Sequence, residues 1–181
     1  MSEFSESYHI KNISLDDAKA LIKKSGQSGY AGKLNNDWAV LVPQSAECGS
    51  GADETIVSNN ENILLHYTFA EDHCFMFEVF NGNEKISEYA SDINEDLQIF
   101  SKNLNPAELI KVLELNITES DLIKLLTPAN MEEYFADPQF NYRLMDLLGI
   151  PRESYSWISY HYCQLIEKED PKFADRFYKV E

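Results

Sequence analysis

Basic residues are scarce in this chain: 15 Lys and Arg stand against 31 Asp and Glu among 181 residues, a net charge of −16. Nucleic acids and anionic membranes are held chiefly by basic surface, so the balance argues against either as the main target. Cysteine is sparse as well. Cys48, Cys74 and Cys163 are odd in number and widely spaced, with no CxxC, which argues against a disulfide framework and for a reducing compartment. No apolar run approaches the ~18 residues needed to cross a bilayer. Met1 to Ser7 carry acids where a signal peptide carries bases, and no apolar stretch follows. These absences together lead to the expectation of a cytoplasmic protein.

Catalytic and cofactor motifs are also missing. Cys48-Gly49-Ser50-Gly51 has neither the lysine of a phosphate loop nor the third glycine of a dinucleotide fold. Asp92-Ile93-Asn94-Glu95-Asp96 starts like a calcium loop, but Leu97 stands where glycine must turn the chain and Asn103 where a bidentate glutamate belongs. His66, Asp72, His73 and Cys74, with His161 and Cys163 further on, are potential metal ligands. They include no compact pair such as HExxH, so neither a metal nor another cofactor is expected. The paired carboxylates Glu71-Asp72, Glu132-Glu133 and Glu169-Asp170 read as solvated faces of an acidic protein.

What is present is enough to build a core. Hydrophobic residues make up 44% and aromatics 12%, too much for a disordered chain, and the length suits a single domain spanning residues 1–181. Each half carries a net charge of −8, with 6 basic and 14 acidic side chains in residues 1–90 and 9 and 17 in residues 91–181. The periodicity does change. Residues 1–100 read mainly as strands and residues 101–181 mainly as helices, predicting an α+β fold: a mainly antiparallel sheet of five to seven strands with the C-terminal helices packed on one face or end.

The pattern predicts a strand over Ser7–Ile13, a helix opened by Ser14, and a hairpin of Tyr30–Leu34 and Trp38–Val42. Residues 44–60 read as a long irregular loop. Ile63–Ala70 alternates like a half-buried strand, with His66 on its polar side. Cys74–Phe80 is apolar on both faces and reads as the sheet centre, followed by a turn at Gly82 and a strand over Glu84–Ala90. Asn105-Pro106, Thr118 and Asp137-Pro138 open three helices, the third carrying Phe140, Leu144, Leu147 and Leu148. The stretch 155–166 fits strand or helix equally, and Lys172–Tyr178 reads as a short terminal helix.

Two functional expectations follow. The first is a non-catalytic binding protein, such as an inhibitor or immunity-type protein, whose acidic surface meets a basic protein partner. Aromatics crowd the C-terminal part, and Trp157 and Tyr160 are its candidate anchors, since such rings carry interface energy. The second is a small-molecule-binding domain or enzyme that uses residues 44–60 as a lid, with His66 or His73 as a base or Cys48 as a nucleophile.

Overall fold

The computed structural model describes residues 2–49, 51–93, 96–101, 103–136 and 138–181. Ser50 of the glycine-rich stretch, Asn94 and Glu95 of the calcium-loop-like stretch, and Asp137, the expected opening of the third helix, lie outside the described residues.

The chain begins with β1 (Phe4–Lys11), α1 (Leu15–Lys24) and the hairpin β2 (Gly29–Lys33) and β3 (Trp38–Pro43). After α2 (Glu54–Asn59) comes the meander β4 (Ile63–Ala70), β5 (Cys74–Asn81), β6 (Glu84–Asp92) and β7 (Gln98–Phe100). Helices α3 (Pro106–Leu113), α4 (Glu119–Leu126), α5 (Met131–Tyr134), α6 (Phe140–Leu147) and α7 (Tyr160–Glu169) follow, and β8 (Tyr178–Val180) closes the chain. The fold is α+β: among the described residues, eight strands form one antiparallel sheet in the order β7-β6-β5-β4-β1-β3-β2-β8.

Local chemistry explains most boundaries. Ser14, Asn105 and Thr118 each accept a backbone N–H three residues on, satisfying an orphan donor at the start of α1, α3 and α4. Asn35 Oδ1 accepts the N–H groups of Asp37 and Trp38 and so closes the first hairpin. Gly82, at φ +61, turns β5 into β6.

Period-2 alternation divides the sheet into two faces. Tyr8 pairs with His66 and His66 with Glu78, so Glu6, Tyr8, Ile10, His66, Thr68 and Glu78 share one face. α1, α2 and the chain between β3 and α2 cover it. On the opposite face Trp38, Tyr67, Phe75, Phe77 and Tyr89 pack against Leu109, Leu122, Phe140 and Leu144 of α3, α4 and α6. Tyr30 joins that face through its pairing with Val42, and its ring lies 5.9 Å from Tyr160 of α7 and 5.5 Å from Phe173. The C-terminal helices thus sit on one side of the sheet.

Several expectations are corrected. The centre of the sheet is β4 and β1, not β5, whose Cys74, Met76 and Glu78 are only half-buried. Apolar content misled here, because α2 reaches only the Glu78–Phe80 end of β5 on that face and leaves Cys74 and Met76 half-buried. β4 is buried on both faces although its sequence alternates, since His66 and Thr68 find polar partners in the interior. β1 starts three residues early, at Phe4, its polar residues being buried for the same reason. The 44–60 stretch is not irregular throughout: Asp53 caps α2, accepting the N–H groups of Thr55 and Ile56. The third predicted helix begins only at Phe140, and the 155–166 ambiguity resolves as α7, capped by Ser159. The terminal helix is a single 3-10 turn over Phe173–Asp175, after which β8 pairs with the edge of β2.

Candidate functional site

The buried polar face holds the first candidate. His66 has 0% of its surface exposed. Its Nε2 lies 2.9 Å from Glu6 Oε1 and its Nδ1 lies 3.2 Å from Glu78 Oε2, an imidazole between two carboxylates on adjacent strands. Burial by itself would lower the histidine's pKa, but the bonds to Glu6 and Glu78 outweigh it and raise the value above its ordinary 6.5. Glu78 is held down at about 2: burial pushes it up, and the bonds from His66, Lys85 and the Ala52 N–H outweigh that.

The same carboxylates pin the chain above them. Gly49 N–H donates to Glu6 Oε2 at 2.8 Å, Ala52 N–H to Glu78 Oε2 at 2.6 Å, and Asp53 N–H to the Tyr8 hydroxyl at 2.8 Å. Lys85 Nζ reaches Glu78 Oε1 at 2.8 Å and Glu88 Oε2 at 2.6 Å from β6. The segment expected to be a lid therefore does lie over a histidine. It seals that histidine inside a satisfied ionic cluster, with both ring nitrogens engaged.

The other residues of the lid-and-base expectation do not join it. His73 is exposed in the β4–β5 turn, three residues past the last β4 position. Cys48 is half-buried at φ +57, and burial, then Glu6, Glu47 and Cys74, push its thiol up to about 12, the opposite of an activated nucleophile. His161 and Cys163 lie on α7, on the other side of the sheet. Among the described residues, no group of three or more His, Cys, Asp or Glu is arranged to hold a metal ion.

The second candidate is an open groove of about 430 Å³ at the end of the sheet where β1 begins. Trp157, Tyr142 and Phe135 line it together with Arg152, Gln139 and Glu71. Its floor is built on Glu3, which is 2% exposed. Glu3 Oε1 accepts the Ser5 hydroxyl at 2.8 Å and the Trp157 N–H at 2.9 Å; Oε2 accepts the Tyr142 hydroxyl at 2.7 Å and the Ser156 hydroxyl at 3.2 Å. Glu3 N–H in turn donates to Glu71 Oε2 at 2.8 Å. One buried carboxylate thus fixes both the Tyr142 ring and the backbone that carries Trp157.

Trp157 adopts φ +57, a region bulky residues rarely visit and that costs about 1–3 kcal/mol. Its neighbour holds it there: Ile158 O accepts the Glu6 N–H at 2.7 Å and Ile158 N–H donates to Ser5 Oγ at 3.3 Å. The Arg152 guanidinium lies 3.9 Å over the Tyr142 ring, and no carboxylate among the described residues pairs with it.

The structure separates the two predicted anchors. Trp157 lines the groove, whereas Tyr160 leans on Tyr30 with its hydroxyl 3.3 Å from Ser28 Oγ. Tyr155, Phe173 and Phe177 of the same aromatic cluster are buried core. Glu3, Glu6, Glu78, Tyr142 and Arg152 were not singled out from sequence. Only Glu78, a charge inside an otherwise apolar strand, left a readable sign. Comparison with family models, curated proteins and solved structures gives no match to this chain.

Proposed function

We propose that this chain is a non-catalytic acidic binding protein, of the inhibitor or immunity type, that meets a basic protein partner at the Trp157 groove. The observation that carries the reading is the groove's make-up. Exposed aromatic surface stands beside Glu71, on a protein of net charge −16, around a floor fixed by a buried carboxylate. Aromatic anchors in a shaped pocket supply affinity, while surrounding acids speed encounter with a positive surface. Catalysis at His66 has less to support it, because that side chain presents no surface and both its nitrogens are engaged by carboxylates.

The test is capture from a lysate of the source organism at low and at high salt, identification of the captured protein, and kinetics with the purified pair. The reading expects a basic partner whose association rate falls steeply as salt rises. An acidic partner, or a rate indifferent to salt, would overturn it.

A further inference from the structure

We propose that the Trp157 groove is a guanidinium pocket occupied in the free protein by the chain's own Arg152, and that an arginine of the basic partner binds by displacing it. The inference rests on the binding reading above and specifies what the groove accepts.

Four observations point to that occupant. A guanidinium already lies 3.9 Å over the Tyr142 ring, the stacked geometry that a planar cation adopts and an ammonium does not need. Arg152 is exposed and makes no close ion pair among the described residues, so what holds it against swinging out to solvent is the Tyr142 ring and hydroxyl together with the more distant charge of Glu3. The ring itself cannot follow it, because the Tyr142 hydroxyl donates to Glu3 at 2.7 Å within a cluster of four donors. Glu71 lines the same groove and spends one carboxylate oxygen, Oε2, on the Glu3 N–H. Its Oε1 faces no donor among the described residues and suits an incoming guanidinium N–H. Trp157, lining the same groove, offers the guest further aromatic surface.

The probe is an octa-arginine peptide, titrated into the whole chain by calorimetry at fixed ionic strength. Octa-lysine and octa-glutamate serve as comparisons. Arg152→Ala vacates the ring, so octa-arginine should bind it roughly three- to thirty-fold more tightly than the parent, the worth of one cation–π contact. Lys168→Ala, on the exposed side of α7, removes the same charge elsewhere and controls for general attraction. Trp157→Gly removes the ring while accepting the left-handed backbone, so it should fold and bind octa-arginine several-fold more weakly.

A gain in Arg152→Ala no larger than in Lys168→Ala would overturn the displacement model. So would octa-lysine binding as tightly as octa-arginine, or octa-glutamate being the peptide whose binding is lost with Arg152. If octa-arginine binds none of these proteins, the basic-partner reading itself fails, an outcome distinct from the others.

Discussion

At the scale of the residue, His66 is the best-defined chemical group in the molecule. The His66 ring is the shared partner of Glu6 and Glu78, and removing it leaves both carboxylates in or near the interior with one hydrogen-bond partner fewer. His66→Ala should therefore cost about 3–5 kcal/mol in urea unfolding, as losses of one member of a buried ion pair commonly do. A cost under about 1 kcal/mol would show the cluster to be dispensable. Protonation gives the same account a second check. The His66 pKa is raised above its ordinary 6.5, so its contribution is full below that pH and is lost as pH rises through the folded value. Glu78 is depressed from 4.5 to about 2, so its contribution is full above 4.5 and is lost as pH falls toward 2. Both contributions are complete only between those ordinary values, 4.5 and 6.5, but fully buried His9 works against the acid side of that window. Burial, then His66, lowers its pKa from 6.5 to about 3, so its contribution is full above 6.5 and falls as the pH drops. Urea melts across pH should therefore place the stability maximum near the upper end, at about 6.5. In His66→Leu the alkaline decline should shrink; an unchanged decline would assign it to other groups.

At the scale of the element, Phe77 of β5 and Leu144 of α6 belong to one cluster beneath the sheet, exposed 2% and 4%. Either change to Ala should cost about 2–5 kcal/mol, from lost burial and the cavity left behind, read as a shift in denaturant midpoint. The cap of α2 is a milder case: Asp53→Ala should cost about 1 kcal/mol, since two N–H groups lose their acceptor. How much of this was legible beforehand follows the physics of each signal. Ser14, Asn105 and Thr118 announce their helices because capping is local, and Gly82 announces its turn for the same reason. The position of β4 at the centre was not legible, because His66 and Thr68 read as solvent-facing until Glu6 and Glu78 are brought beside them from 60 and 12 residues away. The groove was half legible. Trp157 stood out by type, but Glu3 meets it from 154 residues away, and no local pattern announces Tyr142 or Arg152.

At the scale of the whole molecule, an acidic chain will attract any cationic peptide to some degree, so affinity alone says little about the groove. Position does. The chain has two tryptophans, and the structure gives them opposite surroundings. Trp38 is buried, with its indole N–H donating to Leu148 O at 3.0 Å, while Trp157 lines the open groove. In a nitrogen-15-labelled sample they supply two indole N–H signals, told apart because one vanishes in Trp157→Gly. Titration with octa-arginine is the most direct test of groove-centred binding. The account predicts that the Trp157 indole signal moves saturably with the peptide while the Trp38 signal stays in place. A Trp157 signal that holds still while signals elsewhere shift would contradict it and place the cationic guest on another surface.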